Sequence, residues 1–281
     1  MKEERKKIAI LGCGWLGLSL AKSLLSKGYE VKGSTTSESK LDVLKNAGIS
    51  TFQIQLEEHQ IIGNITDFLK ETDVLVIDIP PGLRREFSTS LEMTFVNKVK
   101  TLIPFIEKSG IQKVVFVSST SVYGDGFPIV EIREETKPNP DTESGKQLVI
   151  AETLLQSNSH FKTTVIRFGG LLGDDRHPIK FLAGRTNVEN PDAPVNMIQR
   201  EDCIGIIEEI LKQVQHDNWE WNQTFNAVAP QHPTRKAYYH KKAEIFNLPL
   251  PTFAEDSKSK GKIISSKKVE TILGYSFQKE I

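Results

Sequence analysis

The stretch Ile8-Ala9-Ile10-Leu11-Gly12-Cys13-Gly14-Trp15-Leu16-Gly17 decides the fold. Its four apolar residues read as a buried strand, and Leu16, Leu20, Leu24 and Leu25 recur at helical spacing behind it. Between such a strand and such a helix, Gly-x-Gly-x-x-Gly reads as a phosphate cradle. Gly12 permits the tight turn, Gly14 lets a pyrophosphate reach the backbone, and Gly17 lets helix and strand pack. The positive helix head, with Trp15 and Leu16 in its first turn, faces the phosphates. The stretch predicts a dinucleotide site; its bland alternative is a structural glycine turn.

Which dinucleotide fits depends on the tip of the second strand, where an acid would hold a ribose diol. The chain there reads Tyr29-Glu30-Val31-Lys32-Gly33, then Ser34-Thr35-Thr36-Ser37, with Lys40 in the next helix's first turn. Hydroxyls and a lysine suit a 2′-phosphate that a carboxylate would repel, so Ser34, Thr35, Thr36 and Lys40 predict NADP(H) in preference to NAD(H), with NAD(H) still possible. Thr36 or Ser37 also reads as a helix cap. Glu38, the nearest acid, falls past the strand end.

Length and charge bound the rest. The 281 residues suffice for one large domain or two smaller ones, and 36 basic against 36 acidic residues argue against a nucleic-acid partner. The basic run Lys2 to Lys7 is broken by Glu3 and Glu4 and reads as a solvated tail. No apolar run approaches a membrane span or a secretory core, so a cytoplasmic protein with no membrane partner is expected. Cys13 and Cys203 form neither a disulfide framework nor a metal site.

Strands and helices then alternate, the pattern of a doubly wound α/β parallel sheet, a Rossmann fold. Ser39 to Asn46 reads as a helix ended by Gly48, Ser50 to Ile54 as a third strand, Asp67 to Lys70 as helical, and Val74 to Ile77 as a buried fourth strand. Ile79-Pro80-Pro81-Gly82 must leave the sheet at its carboxyl edge, where cofactors sit, so Pro80 and Pro81 are expected over the cofactor; a plain strand terminator is the alternative. A helix from about Arg84 to Lys108 and a fifth strand Lys113 to Val117 follow. Trp219 and Trp221 read as a strand's packing face. The expected division is a cofactor domain over 1–170 and a smaller substrate-side lobe over 171–281, with about 202–228 returning to the first. Gly82 to Arg85 and Gly184 to Asn196 are loops expected to move on ligand binding.

At the end of the fifth strand stands Ser118-Ser119-Thr120-Ser121-Val122-Tyr123-Gly124. With the glycine loop, this pattern resembles the extended short-chain dehydrogenase/reductases, the class of NAD-dependent epimerases and dehydratases. Arg167 to Gly173, and Val195 to Ile198 followed by Glu201-Asp202, resemble that class's later motifs. Within it the chain is similar to the YeeZ-type branch, through its Gly-Cys-Gly-Trp-Leu-Gly start, its Pro-Pro loop, Asp175 to Pro178 and Asn226 to Arg235. The resemblance implies a serine of catalysis at Ser119, cofactor contact at Ser118, and a homodimer through long helices.

One departure matters more than the agreement. The class relies on a Tyr-x-x-x-Lys pair, in which the lysine lowers the pKa of a proton-transferring tyrosine. Registered on Glu152, the tyrosine slot holds Ser144 and the lysine slot Leu148, and neither can do that chemistry. Lys146 lies two residues off, on another helix face. Tyr238 and Lys242 carry the spacing far too late and read as a surface contact behind a Thr234 cap. Tyr123 is the better replacement acid, with packing as its alternative. His177 is a natural acid/base near neutrality, and Arg176 and Arg185 could hold an anionic small-molecule substrate, Arg167, Asp174 and Asp175 lying close in sequence. Two functions follow: an oxidoreductase or epimerase-like enzyme with a nonstandard proton donor, or a non-catalytic redox sensor.

Overall fold

The computed structural model describes residues 6–82, 93–213, 219–255 and 258–281. The basic tail before Lys6, the helix expected from Arg84 as far as residue 92, Leu83 to Arg85 of the mobile-loop expectation, and Val214 lie outside them. The strands β1 (Lys7–Leu11), β2 (Glu30–Thr35), β3 (Ser50–Gln53), β4 (Val74–Ile77), β5 (Lys113–Ser119), β6 (Lys162–Phe168) and β7 (Thr224–Ala227) form one sheet. Its order is β7-β6-β5-β4-β1-β2-β3.

The sheet is parallel: Ile8 sits opposite Val31 on one side and Val74 on the other, and Val76 opposite Val115. At the far edge, bonds from Val165 to Gln223 and from Gly169 to Ala227 advance together along β6 and β7. Parallel strands covered on both faces need unbroken apolar runs. Ile8 to Leu11, Val74 to Ile77 and Val114 to Phe116 are accordingly all 2% exposed or less. The helices are α1 (Trp15–Ser26), α2 (Leu41–Asn46), α3 (Ile65–Leu69), α4 (Thr94–Ser109), α5 (Glu143–Gln156) and α6 (Arg200–Lys212). Chain order reverses between β1 and β4, whose carboxyl ends are the ligand edge of such a sheet.

Local chemistry sets the boundaries. Asn64 caps α3 by accepting the Asp67 amide, and Lys32 donates to the Asp67 and Lys70 carbonyls at the other end. The α2 region opens with a 3-10 turn over Glu38–Lys40 that no side chain caps, which corrects the capping expected of Thr36 or Ser37; Thr35 Oγ1 takes the Ser37 amide instead. Gly48, at φ +82°, ends α2 as expected. Trp219 and Trp221 precede β7 and are not part of a strand, because pairing begins only at Thr224; Lys113 Nζ stands 5.6 Å over the Trp221 ring. No helix among the described residues is long and apolar enough to cross a membrane.

The chain divides into two compact units, 1–119 with 143–166 and 207–224, and 120–142 with 167–206 and 225–281. This differs from a cut at 170, because the segments after β5 and β6 join the second unit as soon as each strand ends or nearly ends. The second unit holds α7 (Arg235–Ile245), α8 (Lys267–Leu273) and two short parallel pairs, Gly170–Leu172 with Met197–Gln199 and Ile263–Ile264 with Glu131–Ile132. Ile179, Val195, Tyr238, Tyr239 and Ala243 form a core there. Buried Asp202 accepts from the Tyr275 hydroxyl at 2.8 Å and the Gln278 amide at 2.7 Å, tying down the last residues.

Candidate functional site

The glycine loop is held from behind by β2. Ser34 Oγ accepts the Gly12 amide at 3.0 Å, and its carbonyl accepts the Cys13 amide at 2.7 Å. Gly12 has φ +108°, and a Cβ there would stand 2.2 Å from the Asp78 carbonyl oxygen. At Gly17 a Cβ would stand 2.3 Å from the Gly12 carbonyl oxygen, so helix and loop touch backbone to backbone. Among the described residues nothing lies within 4 Å of the Cβ position at Gly14, an exposed residue. The loop is sealed at its first and third glycines and open at its second, an arrangement that fits a dinucleotide phosphate.

The first turn of α1 has no acid of its own and no side-chain cap from Gly14. Asp78, one residue past β4, supplies one: its carboxylate takes the Gly17 amide. Burial outweighs that bond and pushes the Asp78 carboxyl up to about 7. Burial, with Asp78 beside it, pushes the Cys13 thiol up to about 12, so it stays an inert thiol packed on Gly33. Asp78 went unread in the sequence; an acid between an apolar strand and Ile-Pro-Pro was the signal.

The residues expected at the ribose end separate. Ser34 and Thr35 are buried, their oxygens accepting the Gly12 and Ser37 amides. Thr36 and Lys40 are exposed. Trp15 is half-buried and Leu16 packs in the core, leaving the backbone as its means of contact. Pro80 is exposed and Pro81 half-buried at the end of β4, where Ile79 Cγ2 lies 3.1 Å from the Gly12 Cβ position.

Ser119 ends β5 half-buried. Its neighbour Ser118, expected at the cofactor, is buried and donates to Glu152 Oε1 of α5 at 2.6 Å, so its side chain joins strand to helix. On α5, Leu148 is 3% exposed and packs as core, Ser144 is half-buried, and Lys146 points to solvent 3.8 Å from Glu143. Gln147, fully buried, accepts the Phe95 amide in the first turn of α4 at 2.9 Å.

In the second unit Tyr123 is 2% exposed, and Arg167 Nη1 donates to its hydroxyl. Asn226 Oδ1 at 3.1 Å and the Arg133 carbonyl at 3.3 Å compete for the one hydroxyl proton, and Glu134 accepts the Asn226 amide at 2.8 Å. Burial raises the Tyr123 pKa and Arg167 only partly offsets it, so this phenol is a packing element and not the acid expected of it.

His177 is likewise committed. Its Nδ1 accepts the Ile179 amide at 3.1 Å, which places the ring proton on Nε2, facing the Tyr238 hydroxyl at 3.0 Å. Burial, with Lys242 and Lys180 adding, pushes its pKa down to about 4. It has neither the pKa nor an open nitrogen for proton transfer near neutrality. Tyr238 is buried in the core rather than at the surface expected of it, with the half-buried Lys242 Nζ 5.6 Å over its ring; Thr234 does cap their helix. Arg176 is exposed in a turn closed by reciprocal bonds with Gly173, and Arg185 is exposed with its carbonyl bonded to the Thr252 amide.

Comparison with known proteins agrees with this geometry. A family model described as NAD(P)H-binding matches residues 12–213. Protein YeeZ of Escherichia coli K12 is 34% identical over 97% of this chain and 96% of its own. UDP-glucuronic acid 4-epimerase from Bacillus cereus, solved with NAD, superposes with a TM-score of 0.80 at 17% identity, covering 98% of this chain and 92% of its own. A conserved protein of unknown function from Silicibacter pomeroyi gives 0.76 at 19%, covering 98% and 94%. A cradle closed at Gly12 and Gly17, on a seven-stranded parallel sheet, accords with the family match, and the chain belongs to the NAD(P)H-binding family and to the family of protein YeeZ.

Proposed function

We propose that the chain binds NADP(H) in preference to NAD(H) and acts in the cytoplasm as an oxidoreductase or epimerase-like enzyme on a small molecule. The observation that carries the reading is the glycine loop, whose open face at Gly14 admits a phosphate while Gly12 and Gly17 close its back. Thr36 and Lys40, exposed past the end of β2, support the 2′-phosphate. A bound nicotinamide supplies hydride-transfer chemistry. Ser119, half-buried at the end of β5, hydrogen-bonds the substrate carbonyl. With Tyr123 and His177 engaged internally, water is the remaining proton donor.

A second reading, a non-catalytic sensor of the cofactor's redox state, is favoured by buried Leu148 in the lysine slot. Titration of NADPH and NADH, followed by nicotinamide fluorescence, tests the binding claim. NADPH should bind at least about tenfold tighter, and Lys40→Glu should erase that margin; tighter NADH binding by the wild type would overturn the phosphate assignment. Consumption of NADPH against a panel of carbonyl compounds and sugar nucleotides, abolished by Ser119→Ala, separates enzyme from sensor.

A further inference from the structure

Asp78 occupies a position that a dinucleotide loop does not require. The glycine loop already closes against the backbone of this residue, whose amide bonds to the Leu11 carbonyl at 2.9 Å. Its side chain then turns to α1 and takes the Gly17 amide, within the same helix turn whose positive end faces the phosphates. Two anions are therefore directed at one helix head. The carboxyl group itself is buried behind the loop.

We propose that Asp78 couples dinucleotide binding to proton uptake: the carboxyl group is neutral when the phosphates are bound, and its ionisation weakens binding. The inference rests on the nucleotide-binding reading above. The proton comes from solvent and sits on the carboxyl oxygen; no bond of the cofactor changes.

Among the described residues the carboxylate has no compensating cation. From the loop it faces the Cys13 thiol, from α1 the Gly17 amide, and from β1 backbone alone; among the described residues no charged side chain contributes to its shift. Its pKa of about 7 places the ionisation within the physiological range. An added anion on the same helix head raises such a pKa by roughly 1–3 units, because like charges disfavour joint ionisation. Affinity must then fall as pH rises from about 7 toward the raised value. Cys13, at about 12, does not titrate in that window.

The test is NADPH binding between pH 7 and pH 9, read by fluorescence with the full chain and with Asp78→Asn, which preserves shape and the acceptor for Gly17. The wild-type Kd should rise about fivefold or more over this range, while the variant stays flat at the tight value. A flat wild-type profile, or an unchanged slope in the variant, overturns the inference and leaves nucleotide binding intact. Absence of NADPH binding by the wild type at pH 7 overturns both readings. Calorimetry of the wild type near pH 8, in buffers of different ionisation enthalpy, gives a readout independent of the variant's folding. Uptake approaching one proton per NADPH supports the coupling, and none refutes it.

Discussion

Gly12→Ala and Gly14→Ala, two single-methyl changes two residues apart, should have opposite consequences. At Gly12 the methyl meets the Asp78 carbonyl at 2.2 Å, about 1 Å inside normal contact, on a residue held at φ +108°. The backbone penalty alone is roughly 1–3 kcal/mol. Relieving the clash means moving β4's end or breaking the Gly12 amide's bond to Ser34, which adds about 1–2 kcal/mol. A loss of about 3 kcal/mol corresponds to a Tm lower by roughly 6–10 °C. At Gly14 no atom of the described residues lies within 4 Å of the methyl, so stability should change by less than about 1 kcal/mol. That methyl projects into the open face assigned to phosphate, and NADPH affinity should fall at least about tenfold. Thermal unfolding by circular dichroism and NADPH titration read the two effects separately. A Gly12→Ala protein as stable as wild type, or a Gly14→Ala protein with undiminished affinity, would refute the assignment of back and front to the loop.

Ser118→Ala should cost about 1–3 kcal/mol in denaturant unfolding by removing its hydrogen bond to buried Glu152, with NADPH affinity unchanged; lost affinity at full stability would support a cofactor role for Ser118. Tyr123→Phe removes a hydroxyl shared by Arg167, Asn226 and the Arg133 carbonyl and should destabilise by a similar amount; an inactive but fully stable variant would restore its catalytic role. His177 is held at about 4 when folded and returns to about 6.5 when unfolded, so the unfolded chain binds the extra proton between these values. The neutral-His contribution to stability is therefore full above pH 6.5 and lost as pH falls to 4, up to about 3 kcal/mol. His177→Gln should flatten that part of the profile, and an unchanged acid limb would count against the buried, neutral ring.

The elements that depend on chain-local pattern were legible in advance. Strands β1, β4 and β5 are unbroken apolar runs, the glycine loop sits at the expected junction, and Gly48 and Thr234 act as punctuation. Leu148 in the lysine slot was visible as a departure before its burial explained it. Side-chain partnership was not legible. Ser34, Ser118, Tyr123 and His177 all looked like ligand groups because a hydroxyl, phenol or imidazole carries the same chemistry wherever it points. Their engagement with Gly12, Glu152, Arg167 and Tyr238 depends on segments tens of residues away.

By itself, then, the sequence determined the parallel sheet and the glycine loop, which follow from periodicity and short spacing, while the family and the missing Tyr-Lys pair came from the resemblance of its motifs to a known class. Tertiary structure alone decided which polar groups remain available and which are buried partners. It alone brought Asp78 from the end of β4 to the head of α1. Hydrogen-bond satisfaction and desolvation are set by neighbours distant in the chain, and no local pattern encodes them.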